Sequence, residues 1–336
     1  EGRLAMQIHQ RGGHSCARVL VDTGRGHERR DGSRFRGRDY AHGRRHLGYV
    51  ALPEVEEVAV DRRHVGTAVD DTNRHTPGDD PDEGALRVNT LLGIRYQNLG
   101  AVGSITVNGA AGVDTLVALG TEGSDNVTVG RFSATEGFIT VNNHLPLRTS
   151  NPVVPVNTVE HYQIDTLEGD AKITISYPLA PGVTQVAVTA GGPGGSDALI
   201  VNGGAGVDEV FTITPGLIPG DGNVQVNAVA NPYTGIEHVF VDGSDADNDD
   251  LTIVDDLRDN LWTVSAGSIT GDRVQIDGRE SFDFNDFNDV TLTNIFGTDL
   301  FRVLPSNLIG FDGIFTVNGD AGTPIDDVLE LVGTPG

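Results

Sequence analysis

From about residue 85 onward the chain alternates apolar and polar residues with a period of two, in runs of three to six broken by Gly, Asp and Asn. SITVNG (104–109), TLVALG (115–120), KITIS (172–176) and ALIVNG (198–203) are of this kind, and VFTIT (210–214), DLTIV (250–254) and FTVNG (315–319) continue it. Side chains on a strand point to opposite faces in turn, so the pattern predicts short, half-buried strands rich in Val, Ile and Thr. No stretch carries a helical period, and Gly recurs too often for long helices. The expectation is an all-β fold.

The strands belong to repeats. One unit reads VNGAAGVDTLVALGTEGSDNVTV (107–129), a second GGPGGSDALIVNGGAGVDEVFTI (191–213), and a third VNGDAGTPIDDVLELVGTPG (317–336). Asp114 and Asp125 are eleven residues apart, as are Asp197 and Asp208. The third unit stops where the next Asp is due, so it reads as truncated at the C-terminus. Another element recurs between these units: TVEHYQIDTLEGDAKITI (158–175) aligns with GIEHVFVDGSDADNDDLTI (235–253), and FNDVTLTNIFGTDLFRV (287–303) is a weaker copy. A rung of this size cannot bury its apolar face alone and must stack on its neighbours. The expected architecture is a parallel β-solenoid or β-roll-like repeat array, with segment 144–157 as a loop on one face. N-G and D-G turns also suit hairpins, which makes a string of small β-sandwiches the competing fold.

Composition divides the chain. Residues 1–80 hold 14 Arg against 13 Asp and Glu, and 7 of the 10 His, whereas the remainder carries 9 Arg and Lys against 35 acids. The boundary is drawn at 85. Residues 1–84 read as a basic Arg/His/Gly-rich leader, either disordered or not native coding sequence, because Arg, Gly and His runs without Lys are what a GC-rich gene yields out of frame. An arm that docks on an acidic surface is the functional alternative. Residues 85–336 form the array. The net charge of −25 argues against a nucleic-acid partner, no run approaches the ~18 apolar residues of a membrane span, and the lone Cys16 excludes a disulfide framework.

The repeated loops suggest a ligand. GGAGVDEVF (203–211) fits the nonapeptide G-G-x-G-x-D-x-U-x at every fixed position, with Val210 as the apolar U. It resembles the haemolysin-type (RTX-like) calcium-binding repeats of large secreted acidic bacterial proteins, a resemblance that implies a parallel β-roll with calcium between successive loops. GAAGVDTLV (109–117) and GTEGSDNVT (120–128) lack the second Gly, and the Asp197 loop carries one extra residue. Asp114, Asp125, Asp197 and Asp208 are the metal candidates on that resemblance. Calcium takes six to eight oxygens, more than one loop supplies, and loops offset by eleven residues depart from the family's nine. The bland alternative is that each Asp caps its own turn.

DGSDADNDDLTIVDD (242–256) is a second candidate. Asp245, Asp247 and Asp249 occupy positions 1, 3 and 5 of a calcium loop, and Asp256 falls at position 12, although position 6 is Asp250 instead of Gly. The segment is similar to the acidic turns of bacterial cadherin-like domains, so tandem cadherin-like β-sandwiches are the form the competing fold would take. Carboxylates this dense repel one another without a cation.

Enzymatic signals are weak. Glu160-His161 and Glu237-His238 occupy matching repeat positions, which points to packing or hydrogen bonding, and no P-loop, nucleophile elbow or zinc spacing is present. The expectation is a non-enzymatic extracellular or cell-surface structural or adhesive segment, stabilised by calcium, with cell-surface polysaccharide or neighbouring repeats of the same protein as partners. The alternative is a carbohydrate-binding or polysaccharide-degrading β-helix protein. In that reading Trp262 or the Tyr side chains stack on sugar, or Arg258, Arg273 or Arg279 stands beside catalytic acids.

Overall fold

The computed structural model describes residues 69–333 apart from 92, 102, 151–156, 193–195, 245–246, 256–258, 268–270, 306–312 and 320–326. It adds the backbone of three strands nearer the N-terminus. β1 (Arg3–Arg11) and β2 (His14–Asp22) pair as an isolated antiparallel hairpin. β3 (Val60–Asp61) joins the main body by pairing parallel to β7 (Ile105–Val107). Beyond this the chain passes back and forth between two sheets, of thirteen and twelve strands.

β4 (Thr72–Pro77), β5 (Gly84–Val88) and β6 (Ile94–Tyr96) form a meander in the second sheet, after which β7 lies in the first and β8 (Thr115–Leu119) in the second. β9 (Asn126–Arg131), β10 (Gly137–Val141) and β11 (Leu147–Thr149) form a meander in the first sheet. β12 (His161–Asp165), β13 (Lys172–Ser176), β14 (Gln185–Thr189) and β15 (Ala198–Asn202) then alternate between second and first. A third meander, β16 (Val210–Pro215), β17 (Gly222–Val226) and β18 (Val229–Thr234), returns to the second sheet. It is followed by β19 (His238–Asp242) in the first and β20 (Asp250–Asp255) in the second. The fourth meander, β21 (Leu261–Ala266), β22 (Asp272–Ile276) and β23 (Ser281–Asn285), lies in the first sheet. β24 (Asp289–Asn294), β25 (Leu300–Val303), β26 (Ile314–Asn318) and β27 (Val328–Leu331) resume the alternation.

Within each sheet the strands run parallel, except the middle strand of each meander: β5 and β17 in one, β10 and β22 in the other. Each meander enters two places ahead, turns back, and leaves beside the preceding rung, so chain direction is preserved. The result is an all-β, two-sheet array of solenoid or roll type. The two sheets run unbroken past one another, where tandem sandwiches would divide them into modules.

Meanders explain the uneven repeat spacing. Equivalent residues on successive rungs are 24 to 28 apart where both half-turns are single strands, and 39 to 46 apart where one half-turn is a meander. Segment 144–157, expected as a loop, contains β11, which pairs with β10 and β7. The array also begins before the boundary drawn at residue 85, since β4 pairs with β5 and β8 and belongs to the second sheet. Most of the remaining leader lies outside the described residues.

The core follows from the period of two. In the first sheet Val127, Ile173, Leu199, Val239 and Phe282 stack in register and are all buried, as are Val129, Ile175, Val201, Val241 and Phe284. Phe211, Leu251 and Val290 form a matching column in the second sheet. Phe287 joins the two by packing edge-on against Phe211 and tilted against Phe284. Burying each such side chain stabilises the fold by roughly 1.5–3 kcal/mol. No helix among the described residues is long and apolar enough to cross a membrane.

The second turn of three meanders carries the same device. Asn89, Asn142 and Asn227 follow β5, β10 and β17 with φ of 46°, 52° and 51°, a left-handed conformation that Asn tolerates better than most residues. Each Asn Oδ1 accepts the N–H of the first residue of that meander: Thr72 (2.8 Å), Asn126 (2.8 Å) and Val210 (3.1 Å).

Candidate functional site

The residue just ahead of a strand is still turning between sheets, and its buried N–H needs an acceptor. The array provides one from the next rung. Asp71 N–H donates to Asp114 Oδ1 (2.8 Å), and Asp114 N–H donates in turn to Glu160 Oε2 (2.8 Å). Ala171 N–H donates to Asp197 Oδ1 (2.6 Å), and Asp197 N–H to Glu237 Oε2 (2.8 Å). Glu209 N–H donates to Asp249 Oδ1 (2.6 Å), while Asn260, Asp299 and Asp327 continue the pattern at 2.9 and 3.0 Å. These acids form short carboxylate ladders at the strand starts of both sheets, Asp71–Asp114–Glu160 and Glu209–Asp249 in the second and Ala171–Asp197–Glu237 and Asn260–Asp299–Asp327 in the first. One residue earlier the sense reverses: Asp70 accepts from Val113, Asp208 from Asn248 and Asp259 from Thr298.

The ladders account for the repeated glycines. A Cβ on Gly109 would collide with Asp114 Oδ2 and the Thr158 carbonyl, and one on Gly120 or Gly319 with the carboxylate of Asp125 or Asp327. Glycine is therefore needed where the acid folds back over the loop. Burial pushes the Asp114 and Asp197 carboxyls above the usual range, and neighbouring Glu160 and Glu237 add to the effect. The accepted amide bonds pull the other way.

This placement bears on the sequence candidates. Asp114 precedes β8 in one sheet and Asp125 precedes β9 in the other, so the eleven-residue offset is a half-turn. A five-residue strand, about 17 Å, lies between them. Asp197 and Asp208 are divided in the same way by β15. Asp125 caps its own loop, accepting from Thr121 N–H and Oγ1 at 2.8 and 3.0 Å and from Asn142 Nδ2 at 2.7 Å. Neither Asp114, Asp125, Asp197 nor Asp208 joins a cluster of three acids among the described residues. Asp245 and Asp256 lie outside them.

Asp247 and Asp249 do converge, with a partner the sequence reading missed. Because β16 and β20 pair in parallel, residues 207–209 ahead of β16 stack directly on 247–249 ahead of β20. Carboxylate oxygens of Glu209, Asp247 and Asp249 then lie within 4.8 Å of one another. Asp247 and Asp249 each have one anchored oxygen, whereas Glu209 shares a single amide between both of its own. Glu209 accepts from Gly204 N–H (3.1 and 3.2 Å), Asp247 Oδ2 from Val207 N–H (2.7 Å), and Asp249 Oδ1 from Glu209 N–H. Asp247 Oδ1 and Asp249 Oδ2 have no hydrogen-bond partner and are shielded from solvent, and Asp249 is wholly buried. Burial and the charges of Asp249 and Asp247 push Glu209 up to about 7, against the pull of Gly204 N–H. Asp249 is pushed up to about 6 by burial and by Asp247, against the pull of the Glu209 amide. Oxygen-only donors of this charge suit a hard divalent cation.

Glu209 could have been found. Aligning Gly203 with Gly243 sets Glu209 opposite Asp249, but the nonapeptide template directs attention to Asp208, whose carboxylate accepts the Asn248 amide.

The other candidates have structural partners. Glu160 and Glu237 are ladder acceptors, and His238 Nδ1 lies 2.8 Å from Ser281 Oγ. Arg273 makes a bidentate pair with Asp283 (2.5 and 2.8 Å), and Arg279 pairs with Asp255 at 3.4 Å inside the protein. Arg258 lies outside the described residues. Trp262, Tyr162 and Tyr233 are buried in the core. Comparison with known protein families, curated proteins and solved structures finds no match.

Proposed function

We propose that this chain is a non-enzymatic structural or adhesive repeat segment working outside the cell or at its surface, and that calcium stabilises it. The observation that carries the reading is the set of carboxylate ladders. The acids of the repeated loops serve as amide acceptors joining rung to rung along the stack, which is the use expected of a scaffold. The likeness of 203–211 to RTX-like repeats favours a secreted setting, where millimolar calcium suits weak sites. With a formal charge of −25, the folded chain gains from any cation that binds it in preference to the unfolded state. The sugar-binding alternative draws no support from Trp262, Tyr162 and Tyr233, all core residues.

The test is thermal unfolding of the whole chain by circular dichroism in EDTA, in calcium and in magnesium. A calcium-specific rise in melting temperature supports the reading, and no gain beyond that in magnesium removes calcium from it. Incubation with acidic and neutral polysaccharides, followed by reducing-end and uronate-absorbance assays, tests the rest. Any turnover would overturn the non-enzymatic assignment.

A further inference from the structure

We propose that Glu209, Asp247 and Asp249 hold one divalent, oxygen-seeking cation of calcium's size, clamping the rung of β16 to the rung of β20. The proposal rests on the calcium reading above for the identity of the ion, but the site is argued from geometry alone.

Three features point to a ligand. First, the acids come from two loops about one full turn apart that only parallel stacking brings together, so a bound ion would tie two rungs. Second, Asp249 is completely buried, yet its Oδ2 has no hydrogen-bond donor, and Asp247 Oδ1 is likewise shielded and unpartnered. A buried carboxylate oxygen without a donor is costly, and a cation at the point where the three side chains converge removes that cost. Third, Asp247 Oδ2 and Asp249 Oδ1 are pinned by backbone amides, which fixes the side chains where carboxylate oxygens of all three acids come within 4.8 Å of one another.

Calcium binds through hard carboxylate oxygens of this kind and tolerates irregular coordination, whereas magnesium demands a near-ideal octahedron, which three acids drawn from two loops do not impose. Asp247 is only partly buried and leaves an approach from solvent, from which water completes the shell. The site differs from the file of ions that the nonapeptide resemblance implies, because Asp208 is excluded from it.

The experiment is calorimetric titration of calcium into EDTA-stripped whole protein, with melting temperatures measured in parallel. Wild type is compared with Asp249→Asn, Glu209→Gln and Asp208→Asn. The expected result is one principal site per chain, weakened at least tenfold by Asp249→Asn and by Glu209→Gln and changed less than threefold by Asp208→Asn. Asp249→Asn keeps Oδ1 as acceptor for the Glu209 amide and removes a repelling charge. Without calcium it should melt at or above the wild-type temperature, and it should lose the calcium-induced rise. A purely structural Asp249 would leave the calcium-induced rise intact in Asp249→Asn, and that result would overturn the proposal. So would calcium binding of undiminished affinity in Asp249→Asn and Glu209→Gln, which would leave calcium stabilisation intact but place it elsewhere. Absence of calcium binding in wild type would remove both.

Discussion

Replacing Asp197 by Ala separates the two roles that an acid can have in these loops. Asp197 is buried, and its Oδ1 accepts the N–H of buried Ala171 at 2.6 Å. Removing the carboxylate strands that amide in the turn between β12 and β13. A hydrogen bond to a charged group contributes about 1.5–3 kcal/mol, and an unsatisfied buried donor costs about 1–3 kcal/mol, two descriptions of one loss that are not to be added. Relief of the burial and Glu237 repulsion that push the Asp197 carboxyl up offsets part of it. The expected net loss is about 1.5–2.5 kcal/mol, or roughly 3–10 °C in melting temperature for a protein of this size. Asp197→Asn keeps the acceptor oxygen and should stay within about 1 kcal/mol of wild type. Urea and thermal unfolding followed by far-ultraviolet circular dichroism in EDTA measures both variants. If Asn proves as damaging as Ala, the charge matters and the acceptor does not. If the Ala defect appears only when calcium is present, Asp197 is a metal ligand and the ladder account fails.

Three further outcomes follow from other parts of the array. Asn142→Ala should cost about 2–4 kcal/mol, since it loses the bonds to Asn126 N–H and Asp125 and gives up the tolerance of Asn for φ 52°; Asn142→Gly should cost less by about the 1–2 kcal/mol of the left-handed term. The opposite order in denaturant midpoints would contradict the turn assignment. Arg279→Met removes the guanidinium that pairs with buried Asp255 and should lose about 3–5 kcal/mol, read by the same unfolding assay. Finally, burial raises the folded carboxyls of Glu209 to about 7 and of Asp249 and Asp299 to about 6, above ordinary values of 4.5 and 3.8. A raised acid binds its proton more tightly folded than unfolded, so its contribution is fully present at low pH and is lost as pH rises through 6 to 7. In EDTA the melting temperature should therefore climb from pH 8 to pH 5.5, and a steady fall over that interval would refute the shifts.

Much of the fold was legible because a period of two survives any partner choice: runs such as KITIS and QVAVT became β13 and β14 with the expected face buried. The partner itself was not legible. A strand in a parallel rung and one in a meander carry the same alternation, so β10, β17 and β22 could not be told from rung strands. Hairpin-like turns therefore pointed toward sandwiches. Asn89, Asn142 and Asn227 are the local sign of three of the four turn-backs, but their left-handed geometry shows only in three dimensions. At the candidate site, Asp247 and Asp249 were visible as an acidic run. Glu209 was not, because it is about one full turn away in sequence and becomes a neighbour only through the β16–β20 register.

The placing of the meanders also governs how far the chain reaches. A plain full turn takes 24 to 28 residues and adds one strand to each sheet, about 4.8 Å of length. A meander adds two strands to a single sheet for roughly half as many extra residues. Used alone, it would leave one sheet longer than its neighbour and bend the stack. Here the meanders alternate, β4–β6 and β16–β18 in one sheet and β9–β11 and β21–β23 in the other, so the surplus in one is matched in the next. Paired this way they extend both sheets about a fifth further per residue than plain winding does. An array of this kind could thus become longer without a proportionate increase in chain, provided that insertions arrive in opposed pairs.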